Sequence, residues 1–241
     1  MSAVENRRGW GFLIVPFWMM LLMWVIFWWD QKMMLDWVRH GLEPGSLSGL
    51  QGIIFASFLH GSMEHIGNNS LPVLILTSGL IYYYRNDSWP IILLALSLPW
   101  IGVWLFGRPS YHIGASAYIY ALASFMFFSG LWKRNRHLLA MALLVVFLYG
   151  SLFWGLFPIE ERISFEGHLS GAVTGLILSV LFRKKGPAPT IWRWADDEDE
   201  EEVEEVPDIL VNDWQVIGKS NKDPSATVQV RYVYRPSDDG D

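Results

Sequence analysis

Ser116 and His168 are polar residues at the starts of long apolar runs, in His112-Ile113-Gly114-Ala115-Ser116-Ala117 and Glu166-Gly167-His168-Leu169-Ser170-Gly171. An ionisable side chain kept in hydrocarbon is costly and by default marks function. A serine hydroxyl becomes a nucleophile when a neighbouring imidazole takes its proton. The pair therefore offers acyl-transfer chemistry, provided the fold brings both residues to one depth on adjoining helices. Gly114 and Ala115 let the backbone bend sharply ahead of Ser116. A serine that opens a helix has free N–H groups beside it, where the dipole favours a developing oxyanion. The plainer reading of Gly-x-Ser by itself is a helix cap or a small-residue packing position.

His168 is the natural base. Gly171 and Gly175 follow it as Gly-x-x-x-Gly, a notch that lets its helix lie close to another, expected to be the one Ser116 opens. Alone, the same pattern also fits a dimerisation face with a histidine at the water boundary. A third feature is His60-x-x-x-x-His65-x-x-x-Asn69. At roughly 100° per residue, His65 and Asn69 share a helix face, while His60 is displaced from it or precedes the helix. Helical zinc motifs place two histidines four apart. Here the separation is five and Glu64 does not restore it, so no metal is expected. His65 and Asn69 suit the role of neutral donors to an oxyanion. No aspartate lies at this level to orient His168, which leaves a Ser-His dyad without a third carboxylate.

These residues must be positioned by membrane helices. The chain has 241 residues, of which 52% are hydrophobic, with 14 Trp. It is mostly apolar up to about Phe182 and polar and acidic beyond Lys185. With no cysteine, disulfides, thiolate metal sites and cysteine nucleophiles are excluded. Apolar stretches of about 18 or more residues read as spans. Six are expected: Phe12–Trp29, Ser62–Tyr84, Trp89–Phe106, Gly114–Leu131, Leu138–Phe157 and Ser164–Phe182. Arg7-Arg8 is read as the flank of a retained first helix, since no small-residue cleavage site follows Trp29. In the first loop, Met33 to Arg39 mixes apolar and charged residues at helical spacing and would suit the membrane interface.

The Lys and Arg distribution sets the orientation. With the N-terminus inside, the inner side carries Arg7, Arg8, Arg85, Lys133, Arg134, Arg136, Arg183, Lys184 and Lys185. The outer side carries Lys32, Arg39, Arg108 and Arg162. The fold class is thus an all-α membrane protein, a six-transmembrane-helix bundle with both termini cytoplasmic. Helices two, four and six then enter from the outer face, and His60, His65, Ser116 and His168 fall in or near their first turns. The expected organisation is a short cytoplasmic N-terminus over 1–11, a six-helix domain over 12–183 and a cytoplasmic tail over 184–241. Asp196 to Glu205 holds nine carboxylates in ten residues, a solvated segment without a core. Thr227 to Tyr234 alternates like one strand, which makes no domain. The tail's partner is left open, and nothing points to nucleic acid.

Taken together and in order, these motifs resemble the rhomboid intramembrane serine proteases. The matching positions are His60, His65 and Asn69 at the second helix, Gly114-x-Ser116 opening the fourth, and Gly167-His168-x-x-Gly171-x-x-x-Gly175 on the sixth. Tyr120, one turn after Ser116, matches a position whose ring supports the base. The resemblance covers roughly residues 10–183. It implies Ser116 as nucleophile, His168 as general base, and an oxyanion hole built from the Ser116 N–H, His65 and Asn69. His60 would hold the entry to the second helix. Phe153 and Trp154, with the loop from Gly155 to Ser164, would form a gate and cap. Two positions depart from the family: Ala117 stands where glycine is common, and Gln51-Gly52 stands near where a Trp-Arg pair is often found. The activity implied is endopeptidase cleavage of transmembrane segments near the outer face, in the lipid bilayer, with no metal and no nucleotide. A prokaryotic plasma membrane is the expected location. Two other readings compete with this one. A non-catalytic relative that binds membrane clients needs neither Ser116 nor His168. A transporter would carry polar residues through the full membrane depth.

Overall fold

The computed structural model describes residues 10–148, 154–158 and 164–188. Six long helices occur among them: α1 (Ile14–Met33), α2 (Met63–Tyr83), α3 (Ser88–Phe106), α4 (Ser116–Lys133), α5 (Arg136–Leu148) and α6 (Phe165–Leu181). Each overlaps one of the expected apolar stretches. The outward faces are apolar: Trp18, Val25 and Trp28 on α1, Leu93, Leu105 and Phe106 on α3, and Val180 and Leu181 on α6 are all exposed. That much uncovered apolar surface suits lipid and not water. By length and composition, Gly11–Met33 and Ser88–Phe106 are apolar enough to cross a bilayer. By contrast, α2 opens with Glu64, His65, Asn68 and Asn69.

Helix α4 lies at the centre, and residues 117–123 are buried without a break. Its Tyr118 hydroxyl and Thr77 of α2, both buried, lie 2.9 Å apart. Such a pair satisfies two polar groups inside an apolar bundle. Helix α6 packs against α4 along the Gly-x-x-x-Gly notch. A Cβ on Gly171 would run into the Ala117 carbonyl, and one on Gly175 would run into the Ala121 carbonyl. On its other side Ser170 donates to the Pro99 carbonyl of α3 at 2.7 Å.

Two expectations about local structure are corrected. The stretch from Met33 to Arg39 forms no interfacial helix. Met34 and Asp36 both adopt φ 53°, which ends α1, and only a short 3-10 turn follows at Trp37–His40. The buried Asp30 carboxylate accepts the Trp37 N–H at 3.0 Å, offering the backbone an alternative to helix. The fifth span does not run as a helix to Phe157. Residues 155–158 form turns bounded by Gly155 and Pro158, both poor helix formers. Residues 149–153 lie outside the described residues, as do Arg7, Arg8 and the acidic tail from residue 189 onward.

The first loop is anchored without a Trp-Arg pair. Leu42 and His112 form an antiparallel bridge, with N–H to carbonyl distances of 3.0 and 2.8 Å. Gly52 lets the chain approach so closely that any Cβ there would strike the Leu42 backbone. Trp104 donates to the Ser46 carbonyl at 2.9 Å and Trp100 to the Ser57 hydroxyl at 2.8 Å.

Candidate active site

Helices α2, α4 and α6 all begin at one end of the bundle. Ser62 caps α2 by accepting the His65 N–H at 3.1 Å, and Ser164 caps α6 by accepting the Gly167 N–H at 3.1 Å. Such caps satisfy N–H groups that have no partner within the helix. The α2 entry meets the α4 entry where His60 Nε2 lies 3.4 Å from the Ala115 N–H. The α6 entry meets it where an ideal Cβ on Gly167 would sit 3.8 Å from the Ala117 Cβ. The polar residues singled out in the sequence are therefore gathered at one level. His60 and Asn69 are buried, and Ser116 is partly exposed.

His168 is held on two sides. Its ring stacks on Tyr120, with centroids 4.2 Å apart and planes at 14°. Its Nδ1 lies 2.9 Å from the Gly155 carbonyl oxygen. A carbonyl can only accept, so Nδ1 carries the proton in the neutral ring and Nε2 carries the lone pair. That is the tautomer a general base needs. The backbone carbonyl of Gly155 thus fixes the ring's tautomer and orientation without a charge.

The turn before Ser116 is built by Gly114 and His60. Gly114 has φ 110°, a conformation closed to residues with a Cβ, and its N–H donates to the Ala56 carbonyl at 2.8 Å. A Cβ there would lie 2.5 Å from His65 Nε2 and 3.7 Å from Asn69 Nδ2. His65 and Asn69 therefore line the space directly against this turn. His60 donates from Nδ1 to the Phe58 carbonyl (3.3 Å), so its Nε2 accepts from Asn69 Nδ2 (3.0 Å) and from the Ala115 N–H. The Ala115 N–H is thereby committed. Ser116, the first helical residue, keeps an N–H with no acceptor in the helix. Gly114→Ala is expected to slow acylation of Ser116 by on the order of 100- to 1000-fold, the loss typical of a damaged oxyanion hole. The rate of fluorophosphonate labelling checks it, and an unchanged rate would remove this turn from the site.

His112 joins the approach to α4 with the start of α6. Its Nε2 donates to the Arg108 carbonyl (3.0 Å), and its Nδ1 lies 2.6 Å from the Ser164 hydroxyl that caps α6. His112 is 2% exposed. Burial pushes its pKa below the ordinary histidine value, and the nearby Arg108 charge acts the same way. The bond to the Arg108 carbonyl and the Glu166 charge oppose this. With the folded value below the unfolded one, the unfolded chain binds the extra proton first. The stabilisation is thus complete above about pH 6.5 and fades as pH falls below it. The thermal midpoint in detergent should drop between pH 7 and pH 5, and His112→Asn, which cannot titrate, should show a smaller drop.

Of the expected site residues, His60, His65, Asn69, Gly114, Ser116, Tyr120 and His168 lie around these helix starts, Gly171 and Gly175 lie further along the α4–α6 seam, and Phe153 lies outside the described residues. Residues 159–163 of the expected cap also lie outside them, and Trp154 is exposed. Ala117 fits the α4–α6 contact with no exposed surface. The sequence reading missed three groups. They are the Gly155 carbonyl, which leaves no side-chain signal, and the His112–Ser164 pair. The last could have been suspected from a histidine four residues before Ser116 and a serine in capping position before His168.

Six packed helices with an apolar outer surface and a polar cluster at one end define an all-α membrane protein. The Rhomboid domain family matches residues 48–185, and the chain belongs to that family. An uncharacterized protein of Mycobacterium tuberculosis is 34% identical over 158 residues, covering 59% of this chain and 63% of that protein. One of Mycobacterium leprae is 31% identical over 161 residues, covering 59% of this chain and 62% of that protein. The chain thus spans a little under two thirds of the length of these relatives.

Proposed function

We propose that the chain is a serine endopeptidase that cleaves transmembrane segments within the bilayer through Ser116 and His168. The observation that carries this reading is the state of His168. It is stacked on Tyr120 and donates from Nδ1 to Gly155, so its basic nitrogen is kept free one helix away from Ser116. Ser116 Oγ attacks the scissile carbonyl carbon while His168 Nε2 takes the hydroxyl proton. The oxyanion is met by the Ser116 N–H, His65 and Asn69. The C–N bond then breaks, His168 passes its proton to the leaving amine, and water hydrolyses the acyl-enzyme by the same route in reverse.

The helices cross as six spans with both termini cytoplasmic, which agrees with nine inner against four outer basic residues. The mouth of the site then opens at the outer face of the plasma membrane, where water is at hand. A suitable substrate is a helix that unwinds readily, with a small residue at the cleaved bond. Labelling of the detergent-solubilised protein with a fluorophosphonate tests this directly. The wild type should label, and Ser116→Ala and His168→Ala should not. A folded wild type that fails to label would point instead to a rhomboid-like protein that binds membrane clients without cutting them.

A further inference from the structure

We propose that His112 is a positioning residue that fixes the nucleophile's turn to the cap of the base's helix, through Ser164. This rests on the dyad reading above. The residue has an acceptor or donor on every side. Its N–H and carbonyl both pair with Leu42, so the first loop holds its backbone. Its Nε2 donates to the Arg108 carbonyl, with the Ser110 hydroxyl 3.3 Å away. Nδ1 is then an acceptor, and among the described residues the proton it meets is that of the Ser164 hydroxyl, at 2.6 Å. With its proton spent on His112, Ser164 Oγ turns a lone pair to the Gly167 N–H.

The consequence is a short chain of fixed bonds. His112 stands four residues before Ser116, and Gly167 stands immediately before His168. One imidazole and one hydroxyl therefore span from the turn that carries the nucleophile to the helix start that carries the base. Arg108 and Glu166 run alongside: the Arg108 Nε and its backbone N–H both approach Glu166 Oε1, each at 3.4 Å. These are the charged groups that face His112, and they brace the same two elements. A neutral imidazole is required, since a proton on Nδ1 would turn the ring's donor toward the Ser164 hydroxyl and compete with its donation. The burial of His112 favours that neutral form. In a dyad with no carboxylate, the relation between the two elements depends on such ties, and misplacement by about 1 Å can lower a rate on the order of 100-fold.

The test uses the full chain in detergent, with two readouts on His112→Leu, His112→Asn and Ser164→Ala. Asparagine places a neutral acceptor close to the position of Nδ1, and leucine does not. Amide exchange over residues 164–171 reads the tether without needing activity. The rate of fluorophosphonate labelling reads alignment. His112→Leu and Ser164→Ala should both speed exchange at this helix start and slow labelling by about 10-fold or more. His112→Asn should return both readouts most of the way. Unchanged exchange in His112→Leu would overturn the tether. Faster exchange with wild-type labelling would overturn its role in alignment. A folded wild type that does not label would instead sink the dyad reading, and the exchange comparison would still decide whether the tether exists.

Discussion

Ser116→Ala and His168→Ala are each expected to lower cleavage of a single-span reporter in liposomes by about 10,000- to 1,000,000-fold, and the double variant should be no worse than either alone. The scale and the lack of additivity follow from groups that act as one unit: a serine without its base is an ordinary alcohol, and a base without its nucleophile has nothing to activate. The arrangement around His168 sharpens the expectation. Its ring is set by Tyr120 stacking and by one bond to the Gly155 carbonyl. No charge from an acidic partner is needed to keep the Nδ1 proton in place, so the whole effect of the base resides in His168 itself. Tryptophan fluorescence should report a native fold for both variants, since neither substitution opens the α4–α6 seam. Two outcomes would sink the reading. One is substantial cleavage by Ser116→Ala. The other is additive losses in the double variant, which would mean that the two residues serve separate processes.

The sequence made Ser116, His168 and the helix order stand out because each has a local signal. A long apolar run announces a membrane helix, a glycine pair spaced by three marks a close seam, and a polar residue in such a run stands out by its cost. Side-chain identity does not reveal which backbone atom will stand beside it. The Gly155 carbonyl lies 13 residues before His168, in a turn where a continuous helix was expected, and any residue supplies the same oxygen. The anchoring of the first loop was hidden for a related reason. Leu42 and His112 meet as a single bridge between two loops, and one pair of residues carries no periodic pattern. His60 shows a third limit. Its spacing from His65 set it apart from the helix face, correctly, but the acceptor role of its Nε2 toward Asn69 and Ala115 depends on which nitrogen Phe58 engages.

The depth of the α4–α6 seam leads to the second large effect. Gly171→Val is expected to destabilise the protein by about 3 kcal/mol or more, or to prevent folding altogether, which exceeds the usual range for overpacking. The reason is the nature of the obstacle. A Cβ on Gly171 would meet the Ala117 carbonyl and come within 3.0 Å of the Tyr120 Cβ. A side chain in the way can rotate, but a helix backbone can only move as a whole. One turn further on, a Cβ on Gly175 would strike the Ala121 carbonyl and sit 2.7 Å from the Phe125 backbone nitrogen. The seam cannot tilt open at one end without losing contact at the other. Chemistry is lost with packing, because Tyr120 and His168 face each other across this seam and Ser124 reaches over it to the Ala172 carbonyl at 2.6 Å. Gly171→Ala should be a graded version, with a lower thermal midpoint and slower labelling, while an exposed apolar swap such as Leu181→Ile on the outward face of α6 should change neither. Thermal unfolding followed by tryptophan fluorescence, beside fluorophosphonate labelling, separates the cases. A wild-type midpoint and rate in Gly171→Val would mean that the two helices do not lie in this contact, and that His168 reaches Ser116 by another geometry.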